Sequence, residues 1–95
     1  SRTLYILSNN LRATVMAGLK QIGLESFFSE VIGIDDTRAP KPSILALRPF
    51  IELDPHIVNK AIFVGDSDRT DGEFCAQAGI PFINILNGEI REQGM

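Results

Sequence analysis

The 95-residue chain contains no tryptophan, one tyrosine, one histidine and one cysteine. Cys75 has no partner for an internal disulfide, and His56 has no second histidine or cysteine at ligand spacing, so neither frames a metal centre. Positive charge is also sparse. Nine Lys and Arg are scattered along a chain of net charge −3, which excludes the basic footprint needed for nucleic acid or an anionic membrane. No run of 18 apolar residues and no signal-peptide pattern occurs, so the cytoplasm is the expected compartment. An initiating methionine is missing as well: Ser1 leads within three residues into an apolar run, the start expected of a chain cut from something longer.

What is present describes a small globular chain. Hydrophobic residues make up 44% of it and charged residues 22%, and the length allows one domain, residues 1–95. Its core is expected to be thin, because a chain of about 60 to 100 residues buries only roughly 60% of its unfolded surface.

Short apolar runs alternate with helical periodicity. Leu4-Tyr5-Ile6-Leu7 reads as a strand buried on both faces and stops at Ser8-Asn9-Asn10. Leu11, Val15, Leu19 and Ile22 then mark one face of a helix, with Gly23 placed for a left-handed C-terminal cap. Val31-Ile32-Gly33-Ile34 repeats the strand signal and ends in a predicted turn, Asp35-Asp36-Thr37. Pro42 suits the first turn of a second helix carrying Ile44, Leu47 and Ile51, which Pro49 should kink or break near Arg48. Ala61-Ile62-Phe63-Val64 is a third strand, Asp71 to Ala78 a third helix closed at Gly79, and Phe82-Ile83-Asn84-Ile85 a fourth strand.

This β-α-β-α-β-α-β order predicts an α/β fold, a Rossmann-like three-layer α/β/α sandwich around a parallel sheet with right-handed crossovers. Every strand's C-terminal end then lies on one edge, where ligands bind in such sheets. Ser8, Asn9, Asp35, Asp36, Lys41, Asp66, Ser67, Asp68 and Asp71 are the polar residues at those positions.

Three segments carry a specific likeness. Leu4-Tyr5-Ile6-Leu7-Ser8-Asn9, the Lys41-Pro42 pair, and Ile62-Phe63-Val64-Gly65-Asp66-Ser67 through Asp71 resemble, in order and spacing, the second, third and fourth signatures of the haloacid dehalogenase-like (HAD) hydrolases. Leu24-Glu25-Ser26-Phe27-Phe28 and Ala76-Gln77-Ala78-Gly79-Ile80-Pro81 resemble the phosphoglycolate-phosphatase-like branch, so the likeness spans almost the whole chain.

The resemblance implies a Mg2+-dependent phosphohydrolase acting on a small phosphorylated metabolite through an aspartyl-phosphate. Ser8 and the N–H of Asn9 would hold a phosphoryl oxygen, although Ser and Asn also serve as plain helix caps. Lys41 would balance charge on the phosphoryl group. Asp66 would bind Mg2+ through a hard carboxylate oxygen. Asp71 would be the second acidic member, either a ligand through water or a partner orienting Lys41. Four residues rather than the commoner three separate the two aspartates, which leaves Asp68 as a rival and Ser67 as a supporting residue. Asp35 and Asp36 read as turn residues, and Cys75 as a small core residue.

The family's first signature, an Asp-x-Asp pair on the first strand, does not occur before Ser8. Nucleophile and general acid are thus expected outside this chain, in a missing N-terminal segment or a complementary chain, and 1–95 reads as a partial core domain inactive alone. By the resemblance, the missing strand would lie between those ending at Leu7 and Val64, so two strand edges should stand unpaired. Two other readings are a non-catalytic remnant binding Mg2+, phosphate or a partner chain, and a haloacid dehalogenase, which needs no metal and lacks the Gly-Asp-Ser motif.

Overall fold

A computed structural model of the chain describes residues 2–93, so Ser1, on which the expectation of a cut start rests, lies outside them. The chain divides into two compact units, residues 1–40 and 41–95.

The first unit holds β1 (Tyr5–Leu7), α1 (Arg12–Ile22), a 3-10 turn at Glu25–Phe27, β2 (Glu30–Ile32) and the short helix α2 (Ile34–Thr37). Strands β1 and β2 pair in parallel, Ile6 opposite Val31. Helix α1 packs on β2 and buries Leu19, together with Val31, Ile32 and Ala39. The periodic face of α1 is covered only in its middle, since Leu11 and Ile22 at its ends are 54% and 65% exposed. Gly23, at φ 75°, closes the helix as predicted, and the following N–H of Leu24 donates to Leu19 O.

The predicted turn Asp35-Asp36-Thr37 is instead α2 itself. A small residue at its N-cap, Gly33, lets the chain turn, and Asp36 Oδ2 accepts the Gly33 N–H at 2.8 Å, so a carboxylate satisfies the exposed donor at the helix start. Asp35 Oδ1 accepts the Arg12 N–H at 2.9 Å. No side chain of α1's own N-cap, Leu11, does this, so a residue 23 positions later completes that helix.

The second unit holds a 3-10 turn at Ile44–Leu47, α3 (Arg48–Leu53), a 3-10 turn at Ile57–Asn59, β3 (Phe63–Gly65), a π-helical turn at Asp68–Gly72, α4 (Glu73–Ala78), β4 (Phe82–Asn84) and β5 (Ile90–Arg91). Strand β4 pairs in parallel with β3 and antiparallel with β5. The predicted break near Arg48 is present: a 3-10 turn gives way there to α3, with Pro49 in the new helix's first turn. Pro42 does not open the second helix. It follows a cis Lys41–Pro42 bond, and Ser43 is the N-cap, its Oγ accepting from Leu45 N–H at 3.3 Å.

Phe74, Cys75 and Phe82, each at most 1% exposed, centre this unit's core with Ala46, Leu47, Phe50, Ile57 and Ile80. Phe63 joins them through its ring contacts with Phe74 and Phe82. Strand β1, expected to be buried on both faces, is only partly buried along its length, and β3 is exposed on one face: side chains alternate across a strand, and Val64, opposite in sense to Phe63, is 55% exposed, with Ile62 at 59% and Ile90 of β5 at 64%. Among the described residues β1 pairs only with β2, and β3 only with β4, which leaves one edge of each unpaired. Strand β5 was not foreseen, because two residues after a turn carry no periodicity to read. No helix among the described residues is long and apolar enough to cross a membrane.

Candidate functional site

The 41–95 unit brings together Lys41, Asp66, Ser67, Asp68 and Asp71. Strand β3 delivers the chain to Gly65 and Asp66, after which Ser67 caps the π-helical turn: its Oγ accepts from Thr70 N–H at 3.2 Å, and its carbonyl accepts the N–H groups of Asp71 and Gly72, both at 3.0 Å. Asp71 therefore sits inside this turn rather than at the start of α4, as the sequence suggested. The wider π-helical loop uses the extra residue between Asp66 and Asp71 and turns the Asp71 side chain inward.

Asp71 is 6% exposed. Its Oδ1 accepts from Lys41 Nζ at 2.6 Å, and its Oδ2 accepts from Ser67 N–H at 3.4 Å. Lys41 is itself largely buried, with its Nζ 5.1 Å from the centre of the Phe63 ring, so a compact cation is held between a carboxylate and an aromatic face. Gly65 is required by this closeness. A Cβ at that position would overlap the Asp71 carboxylate, with Asp71 Cγ at 2.8 Å.

Asp66 differs from Asp71 in every respect. Its residue is exposed, and its carboxylate makes no hydrogen bond or ion pair among the described residues. The donor chemistry suits Mg2+, which prefers carboxylate oxygen and is held by one or two carboxylates alongside waters and substrate phosphate. No group of three or more His, Cys, Asp and Glu able to hold a metal occurs among the described residues.

Asp68 is also accounted for. Its Oδ1 accepts from Asn84 Nδ2 at 2.9 Å and faces Arg91 Nη2 at 3.3 Å. Although Asp66-Ser67-Asp68 is spelled Asp-x-Asp, its second carboxylate is thus occupied by β4 and β5. Asn84 and Arg91 were missed in the sequence. The one available signal was a lone polar residue, Asn84, inside an apolar run, since a buried amide must find partners.

Ser8 and Asn9 belong to the 1–40 unit. Ser8 N–H extends the ladder of β1 and β2 by donating to Ile32 O at 2.9 Å, and Ser8 Oγ accepts from Asn10 N–H at 3.0 Å. That accepting role is the turn-forming one; the hydroxyl hydrogen can still donate. Cys75, behind the Lys41–Asp71 pair, is fully buried, as expected of a core residue. Burial pushes its thiol up to about 12, the Asp71 charge adding to the rise and Lys41 partly offsetting it. His56 and the neighbouring Asp54–Lys60 pair lie on the surface, where the Lys60 hydrogen bond holds the Asp54 carboxyl below its ordinary value.

Comparison with known proteins gives a consistent result. The sequence pattern described as haloacid dehalogenase-like hydrolase matches residues 1–85. The pyrophosphatase PpaX of Bacillus pumilus is 40% identical over 66 residues, which cover 65% of this chain and 29% of that protein. The phosphoglycolate phosphatase of Rhodobacter capsulatus is 31% identical over 85 residues, covering 87% and 36%. Among solved structures, a HAD phosphatase from Thermococcus onnurineus superposes with a TM-score of 0.79 at 30% identity, covering 98% of this chain and 43% of that one. The magnesium-bound HAD-hydrolase YfnB of Bacillus subtilis does so with a TM-score of 0.79 at 26% identity, covering 86% and 37%. The chain thus has the α/β Rossmann-like core of these proteins while spanning about a third of the length of the curated relatives.

Proposed function

The chain belongs to the haloacid dehalogenase-like hydrolase family, and from that premise we propose that it carries the phosphate- and metal-handling part of a Mg2+-dependent phosphomonoester phosphatase. The nucleophile, an aspartate that becomes aspartyl-phosphate, would come from outside these 95 residues. The match to the family runs through both units, which supports treating residues 1–95 as one partial core domain.

One observation carries the reading: Asp71 is committed to Lys41 at 2.6 Å, whereas the Asp66 carboxylate a few residues away is exposed and uncommitted. Two acidic residues of one motif thereby divide their work. Asp66 would hold Mg2+. When bound, the ion would offset the negative charge that develops on the transferring phosphoryl group. Asp71 would act through Lys41, fixing where its ammonium places positive charge. Ser8 would donate its hydroxyl hydrogen to a phosphoryl oxygen while its oxygen keeps the Asn10 N–H, and the Asn9 N–H would assist. The pyrophosphatase and phosphatase relatives support a small phosphorylated metabolite as substrate.

The test is hydrolysis of a generic aryl phosphate with Mg2+. The 95-residue chain is expected to show no turnover. In the full-length protein, Asp66→Asn is expected to lower Mg2+ affinity and rate together, by more than the roughly 10- to 100-fold that loss of an outer partner costs. Turnover by the 95-residue chain that Asp66→Asn abolishes would overturn an external nucleophile. Unchanged metal dependence in the full-length variant would overturn the role of Asp66.

A further inference from the structure

Asn84 ends β4 and is only 4% exposed, yet each of its polar groups has a partner. Its backbone N–H donates to Glu89 O and its carbonyl accepts from Gly88 N–H, both at 2.8 Å. Its side-chain Oδ1 accepts from Leu86 N–H at 2.9 Å, and its Nδ2 donates to Asp68 Oδ1 at 2.9 Å. One buried amide thus ties the β4–β5 hairpin to the first residue of the π-helical turn. Arg91 reinforces the tie: its guanidinium lies over the Phe82 ring, reaches Asp68 Oδ1, and stands where a Cβ on Gly72 would come within 2.9 Å. Arg91 and Asp68 are 37% and 46% exposed, so their ion pair contributes little stability in water. The buried Asn84 amide is the stronger hold.

We propose that Asn84, assisted by Arg91, is a positioning residue that pins the Asp66–Gly72 loop through Asp68, and that Asp68 is a strut and not a metal carboxylate. Pinning the loop at Asp68 fixes the turn that carries Asp71 to Lys41 and leaves Asp66 open. The metal arm of the test rests on the Asp66 reading above; the exchange arm does not.

In the full-length protein, Mg2+ titration and amide hydrogen exchange are measured for Asp68→Ala, Asp68→Asn and Asn84→Leu. Asp68→Ala and Asn84→Leu remove the tie and are expected to weaken Mg2+ binding about tenfold, the scale of lost outer partners. They should also speed exchange of the Asp71 and Gly72 amides about tenfold, while Gly79 and Ile80, which donate to Cys75 O, exchange as before. Asp68→Asn keeps an oxygen facing Asn84 and should restore both readouts toward the parent. Three results would overturn the proposal: Asp68→Asn losing Mg2+ as completely as Asp66→Asn, unchanged exchange at Asp71 and Gly72 in Asp68→Ala, or equal acceleration at Gly79 and Ile80. If Asp66→Asn leaves Mg2+ affinity untouched, the metal reading falls while the exchange arm still decides the strut.

Discussion

Lys41 Nζ stands 2.6 Å from Asp71 Oδ1 across 30 residues of sequence, with both side chains at most 10% exposed. Removing Asp71 takes the carboxylate away from a largely buried ammonium, and removing Lys41 takes the cation away from a buried carboxylate. Asp71→Ala is expected to destabilise the protein by roughly 3 kcal/mol, and the double variant Lys41→Met/Asp71→Leu by less than the two single changes combined. Urea denaturation of all variants measures both quantities. Additive effects would show that the two charges do not act as a pair.

Gly65→Ala tests the same contact from the strand side. The added methyl overlaps the Asp71 carboxylate, so Asp71 must retreat from Lys41. Overpacking of this kind costs about 1 to 3 kcal/mol. Chemical denaturation should show that loss, and an amide spectrum should place the shift changes at Ser67 and Asp71.

Cys75 gives a pH dependence with a definite sign. In the folded chain its thiol stays protonated to about 12, above its ordinary value of 9.0. The unfolded chain therefore releases the proton first as pH rises. The stabilising effect of Cys75 is fully present below pH 9 and is lost progressively between 9 and about 12. A Cys75→Ala variant should show a shallower loss of stability over that window. Native protein should resist thiol alkylation at pH 8, whereas urea-unfolded protein reacts readily.

Asp35→Ala removes the carboxylate that accepts the Arg12 N–H at the start of α1. Loss of such a cap costs about 0.5 to 2 kcal/mol. Thermal unfolding should register the decrease, and Asp35→Asn, which retains an accepting oxygen, should recover most of it. Equal losses for both variants would indicate that the negative charge, rather than the hydrogen bond, supports the helix end.

Much of this fold was readable along the chain because its signals are local. Gly23 in the left-handed region, the restart of the helix at Pro49 and the alternation of strands with helices all follow from steric preference and periodicity within a few residues. Lys41, Asp66 and Asp71 were also legible as candidates, since their spacing resembles that of the family. Their geometry was not. The inward turn of Asp71 depends on a π-helical turn that no periodicity announces, and the cap on α1 comes from Asp35, 23 positions away.

Composition, spacing and local backbone preference were enough for the family, for the order β1, α1, β2, α3, β3, α4, β4, and for the residue types at the strand ends, but not for α2 or β5. Packing alone brings Asp71 to Lys41 and Asp68 to Asn84 and Arg91, and leaves the Asp66 carboxylate without a hydrogen-bond or ion-pair partner among the described residues. A carboxylate's role depends on which donors reach it, and those donors come from β4, β5 and the segment before α3, distant in sequence and adjacent only once the chain has packed.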